Sequence, residues 1–165
     1  MTPEDPSGVP PQRSGAATCA LRLELRAVIL PGLSVPVAAR LRYVRAEPYA
    51  VYLDTHVDMH APITWVFARE LLATGLHQWA GLGDVSVHPG TDGEADTVYI
   101  CLGYEDEGVV LRAPAHEVRD FLRQTECLVP LGLEGEHLDL DALARRLLGP
   151  SSPDPGTPDP GTPGP

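Results

Sequence analysis

Lysine is absent from this 165-residue chain, so its twelve strongly cationic side chains are all arginine. Set against 23 acids, they leave a formal net charge of −11. Nucleic-acid binders draw much of their affinity from neutralising phosphates. A chain this acidic is repelled by nucleic acid as a whole. Also missing is any run near the roughly 18 apolar residues of a membrane span, so no membrane insertion is expected. The stretch Met1–Gly15 has neither the basic start nor the apolar core of a secretion signal. Cysteine is scarce and dispersed: Cys19, Cys101 and Cys127 form no Cys-x-x-Cys pair and no zinc spacing. The expectation is reduced, buried thiols in a cytoplasmic protein. There is no Gly-x-Ser-x-Gly, no phosphate loop and no Gly-x-Gly-x-x-Gly, and Ser14, Ser34 and Ser86 have no matched base. Neither enzymatic activity nor a cofactor is expected.

What is present is alternation. Cys19–Leu30 sets Leu21, Leu23 and Leu25 against Arg22, Glu24 and Arg26, the period-two signature of a half-buried strand. Pro31-Gly32 starts a turn. Val35–Tyr43 alternates again, with Val37, Ala39, Leu41 and Tyr43 inward, and the two runs suit a hairpin. Ala50–Met59 reads as a third strand. Ile63–Ala68 follows the turn at Ala61-Pro62 and is too apolar to be half-wet, so it reads as an interior strand. Arg69–Thr74 is a short helix, with Gly75 placed for a left-handed cap. Val85–Val87 is a short strand, Thr91–Glu94 a turn, and Thr97–Tyr104 with Val109–Arg112 a hairpin across Glu105–Gly108. A helix over Pro114–Thr125 aligns Val118, Phe121, Leu122 and Thr125 on one face, with Pro114 at its first position. Asp139 caps an expected last helix with Leu140, Leu143, Leu147 and Leu148 inward.

Consecutive strands with short links mean antiparallel pairing and an α+β domain of about seven strands with two to three helices. The expected organisation is a disordered arm over 1–16, a domain over 17–149 and a disordered tail over 150–165. The tail repeats Pro-Asp-Pro-Gly-Thr and has too little apolar surface to fold, so it is expected to be partly polyproline-like.

The segment Pro48–Gly75 packs strand, turn, strand and helix into one unit. Its sequence Trp65-Val66-Phe67-Ala68-Arg69-Glu70-Leu71-Leu72, followed by Gly75-Leu76, resembles the "WVFARDLL..GL" centre of the SsgA-like family of sporulation and cell-division regulators of actinomycetes. Val35–Tyr43, Asp54-Thr55-His56, and Gly83-Asp84-Val85 with Val87-His88-Pro89 (the family's "GDVRVWP") agree in order. So do Ala113-Pro114-Ala115, Phe121-Leu122 and Leu128-Val129-Pro130. Leu131-Gly132-Leu133-Glu134 departs from the family's "GTE" loop. The resemblance implies a curved antiparallel sheet backed by helices, similar to the Whirly single-stranded-nucleic-acid-binding fold, assembled as a homotrimer. It also implies a non-catalytic role in septum-site selection, with related SsgA-like proteins and the tubulin-like division protein FtsZ as partners. Location at the septum goes with that role. The motif residues Trp65, Phe67, Ala68, Arg69, Leu71, Leu72 and Gly75 are expected to be mainly structural.

Three constellations compete with that reading. His56-x-Asp58-x-His60 offers metal-ligand chemistry, but i to i+4 on a strand spans about 13 Å, too far for one ion. The expected metal content is therefore none. Instead Asp54, His56 and Asp58 form a candidate interaction face. Arg22, Arg26, Arg40 and Arg42, with Arg45 nearby, make a strip that a Whirly-type nucleic-acid binder would use; cross-strand ion pairing is the better account. Trp65 and Phe67 are read as core, with a subunit interface as the alternative for Trp65.

Overall fold

The computed structural model describes residues 17–91, 96–103, 108–138, 140–141 and 144–145. The expected N-terminal arm, the Pro-rich tail and the Asp139 cap with Leu143, Leu147 and Leu148 lie outside these residues. So does most of the two turns placed over Thr91–Glu94 and Glu105–Gly108.

Seven strands form one curled antiparallel sheet: β1 (Thr18–Leu30), β2 (Leu33–Val44), β3 (Ala50–Thr55), β4 (Ile63–Ala68), β5 (Val85–Pro89), β6 (Thr97–Leu102) and β7 (Val109–Pro114). Their order across the sheet is β4-β3-β2-β1-β7-β6-β5. The chain walks from β1 at the centre out to edge β4, crosses to the opposite edge at β5, and walks back to β7 beside β1. Among the described residues, two helices, α1 (Arg69–Gly75) and α2 (Ala115–Leu128), pack with the sheet, a 3-10 turn covers Glu134–His137, and residues 140–141 and 144–145 are also helical.

The crossing explains the curl. Six strand spacings of about 4.8 Å would set the edges of a flat sheet some 29 Å apart. The seven residues of α1 span only about 10 Å at 1.5 Å per residue. Yet α1 leaves β4 directly and its last residue, Gly75, lies against Val87 of β5. A methyl group on Gly75 would sit 2.3 Å from Val87 Cγ1. The sheet must bend until α1 closes the gap. Gly75 therefore does not serve as a left-handed cap. It is the last residue of α1, Leu76 caps the helix in the right-handed region, and glycine is needed for lack of a side chain.

The core lies between the bent sheet and the helices. Leu25, Leu41, Val51, Leu53, Val98 and Ile100 from four of its strands have no exposure, and neither do Leu72 of α1 and Val118 and Phe121 of α2. Val118, Phe121, Leu122 and Thr125 are all buried on α2, as the 3-4-3 spacing predicts. Pro114 supplies the cap and α2 starts one residue later.

Other expectations change. β3 ends at Thr55, and His56, at φ 57°, turns the chain out of the strand. β4 is an edge strand, so its apolar run is not interior: Ile63 and Val66 are 53% and 55% exposed. Trp65 is half-buried and packs on the core from that edge. Leu140 is exposed instead of inward. Cys127 is exposed, and Cys19 and Cys101 are only partly buried.

The closure predicts a pair of outcomes. Gly75→Ala overpacks the contact with Val87 and should cost about 1–3 kcal/mol, seen as a melting temperature several degrees lower by circular dichroism. Gly83→Ala adds a methyl that meets nothing within 4 Å and should melt like the parent.

Candidate interaction site

Arg69 is the largest fully buried side chain, at 1% exposure. It begins α1 directly after β4, so its guanidinium enters the space between the two helices. Nη1 donates to the Val129 carbonyl at 2.6 Å and to Thr125 Oγ1 at 3.4 Å, and Nη2 donates to the Pro130 carbonyl at 3.5 Å. Nη2 also pairs with the Glu134 carboxylate. The Tyr43 ring lies 5.1 Å from the guanidinium carbon, and the Tyr43 hydroxyl donates to the Pro48 carbonyl at 2.9 Å. Burial pushes Glu134 up, but the Arg69 hydrogen bond and charge, with backbone donors, outweigh it and hold the carboxyl below its ordinary value. Above this pair lies a cleft of about 700 Å³, walled by Ala73 and His77 on one side and Arg119 and Arg123 on the other.

The second built cluster is on the opposite face of the sheet. Asp54, expected at an exposed face, is 2% exposed. In register it sits between Arg40 of β2 and Thr64 of β4. Arg42 donates to it at 2.6 and 3.1 Å, Arg40 at 3.0 and 3.1 Å, and Thr64 at 2.8 Å. The Arg42 hydrogen bond holds the Asp54 carboxyl well below its ordinary value, against burial and with help from Thr64 and Arg40. Cross-strand ion pairing therefore accounts for Arg40 and Arg42, and the acid responsible is Asp54. The basic strip is partly offset at its centre, where one carboxylate serves two guanidinium groups. Arg26 is committed locally, with Nε donating to Ser34 Oγ at 2.9 Å.

The proposed face of Asp54, His56 and Asp58 thus divides. Asp54 is spent inside the arginine cluster, because a carboxylate flanked by two arginines on the next strand is covered by them. His56 and Asp58 lie in the turn after β3, Asp58 exposed. Together with His60 they share no strand face. Met59, Ile63 and Val66, at 62%, 53% and 55% exposure, give this corner an apolar surface beside the β4 edge. Among the motif residues, Phe67, Arg69, Leu72 and Gly75 are buried, Leu71 is half-buried and Ala68 is exposed at the start of α1. Glu134 is the residue that sequence reasoning missed. The only signal was its alignment with the last position of the family's "GTE" loop.

No helix among the described residues is long and apolar enough to cross a membrane. Nor do they contain a group of three or more His, Cys, Asp or Glu side chains able to hold a metal ion. The two built clusters are structural ion pairs, and the exposed features are a cleft, a sheet edge and a sheet face.

Comparison with known proteins identifies the family. The model of the family described as Streptomyces sporulation and cell division protein, SsgA, matches residues 37–134. The chain belongs to this family. It is 41% identical to the sporulation-specific cell division protein SsgB of Streptomyces coelicolor over 134 residues, covering 81% of this chain and 98% of that one. The Salinispora tropica SsgB is 40% identical, with 79% and 93% covered. A solved structure concerned with SsgB mutations that correlate to longitudinal cell division during Streptomyces coelicolor sporulation superposes with a TM-score of 0.69. It is 41% identical and covers 74% of this chain and 97% of its own. An SsgA-like sporulation-specific cell division protein from Thermobifida fusca gives 0.72 at 33% identity, with 81% and 98% covered. These relatives are named for cell division, and the nucleic-acid reading has no support among them.

The Asp54 cluster sets a pH dependence. Its folded pKa lies below its ordinary 3.8, so its contribution to stability is complete above about pH 4 and is lost as pH falls further. Asp54→Asn should cost about 1.5–3 kcal/mol at pH 7. In urea unfolding, the gap between parent and variant should narrow between pH 4 and pH 2.

Proposed function

We propose that this chain is a non-catalytic regulator of sporulation-specific cell division that helps select septum sites through protein contacts. The observation that carries this reading is the near end-to-end match to SsgB, 98% of that chain's length at 41% identity. The built geometry favours contact over chemistry. The buried charges are paired with each other.

The contact is placed at the corner formed by the β4 edge and the turn that precedes it. Among the described residues β4 pairs only with β3, so its outer backbone edge is available for strand addition. Ile63, Val66 and Met59 supply apolar area, and Asp58 lies at the rim where charge steers encounter. Self-association as a homotrimer, recruitment of related SsgA-like proteins and a meeting with FtsZ, all implied by the resemblance, suit such an edge. On this reading the protein resides in the cytoplasm and gathers at the septum.

A fluorescent fusion in a sporulating actinomycete lacking its own copy should form regularly spaced septal foci; a diffuse or nucleoid signal would sink the proposal. Val66→Lys tests the placement. An exposed substitution should change stability by less than about 0.5 kcal/mol, yet septal foci should be lost and the oligomer reduced in light scattering. If the folded variant assembles and localises normally, the corner is not the contact.

A further inference from the structure

The cleft above the Arg69–Glu134 pair plays no part in the contact placed at the β4 corner, and its charges are sorted. Arg69, the first residue of α1, reaches Thr125 and Val129 at the end of α2. At the far end Gly75 of α1 lies against Val87 of β5. There α2 begins, with the Ala115 N–H donating to the Asp96 carbonyl just before β6, and β6 is the strand beside β5. The two helices therefore run in opposite directions along the cleft. Glu70 and His77 line one wall, Glu126 and Arg119 the other. Each pair is seven residues apart, about 10 Å along a helix. Glu70 and Glu126 thus share one end of the cleft, and His77, Arg119 and Arg123 the other.

These charges are open to a ligand. Glu70 and Glu126 are exposed, and neither has an ion-pair partner among the described residues. Arg119 lies 4.0 Å from Asp96, and Arg123 pairs with Asp120. All four of these side chains are exposed, and such pairs contribute little. Between the two ends the lining is apolar, from Ala73, Leu76, Leu122 and Leu131. The apolar surface also continues past the acidic end. Leu131 and Leu133, in the loop after α2, are 45% and 43% exposed. Tyr49, whose carbonyl accepts from the Arg69 N–H at 2.8 Å, is 55% exposed. A small molecule confined to the cleft leaves that extension uncovered. An amphipathic helix laid between α1 and α2 covers it, as helices do in apolar grooves.

We propose that the α1–α2 cleft is a docking groove for an amphipathic helical segment of a partner protein. Its apolar face rests on Leu76, Leu122 and Leu131, an acid at one end meets Arg119 and Arg123, and a base at the other meets Glu70 and Glu126. A segment acidic at both ends is rejected by Glu70 and Glu126, so the order of charges sets the choice of partner.

The test titrates isotope-labelled full-length protein with a designed probe and follows backbone amide shifts by NMR. The probe is a helical peptide of about twelve residues, roughly three turns. It has two glutamates at its start, leucines along one face and two lysines at its end. Saturable shifts are expected in α1, in α2 from Arg119 onward and in residues 131–134. Arg119→Glu with Arg123→Glu, checked for folding by circular dichroism, should weaken binding about tenfold or more. Replacing the probe's glutamates by lysines should restore binding to that variant. If the variant does not fold, Glu70→Lys with Glu126→Lys and a probe with glutamates at both ends make the same exchange. Absence of saturable shifts overturns the proposal. Shifts centred on Ile63–Ala68 also overturn it, since the probe then sits on the sheet edge. So does equal affinity of parent and charge-reversed protein. None of these readouts involves septal localisation, so this proposal and the cell-division reading can fail independently.

Discussion

One buried ion pair holds the helical layer to the sheet. Arg69 enters the interior at the junction of β4 and α1. A guanidinium out of water is tolerated only when acceptors surround it. Here they come from the end of α2, through Thr125, Val129 and Pro130, and from Glu134 beyond it. The consequences spread outward. α1 is fixed at its first residue by Arg69 and at its last by Gly75 against Val87. With both ends of α1 fixed, edge β5 is held near edge β4, and the curl follows. The cleft between the helices has the ion pair as its floor.

The outer face of the sheet follows a different logic. There Asp54 gathers Arg40 and Arg42 into one cluster on β2 and β3, which offsets part of the basic feature that suggested nucleic acid. On the other half of the sheet, Trp79, His88 and Tyr99 stack in a row. The two halves therefore differ in character: one is an ion cluster ending at an apolar edge strand, the other an aromatic row. A protein that works by contact can use both surfaces for different partners.

How far the sequence was readable depended on whether local pattern and spatial role coincided. Alternation identified β1 and β2 because one side of each meets the core. The apolar face of α2 was readable for the same reason. The reading failed where a neighbour distant in sequence decides. Asp54 alternates outward, as an exposed residue would, but two arginines on the adjacent strand bury it. The apolar run of β4 reads as interior, and nothing local shows that no strand lies beyond it. Gly75 stands where a cap glycine would, but its role is set by Val87 of β5. Arg69 and Glu134 are 65 residues apart. Charged residues are usually exposed, so no pattern argument pairs them. Only the family motif marked Arg69, and the divergent loop hid Glu134.

Hydrogen–deuterium exchange on Glu134→Ala tests the role of this pair most directly. If Arg69–Glu134 clamps the helices to the sheet, the variant should lose protection in α1, in the last turn of α2 and in the 3-10 turn. Central strands β1, β2 and β7 should keep theirs. Unchanged protection at α1 and the end of α2, or a uniform loss across the whole sheet, would contradict the account.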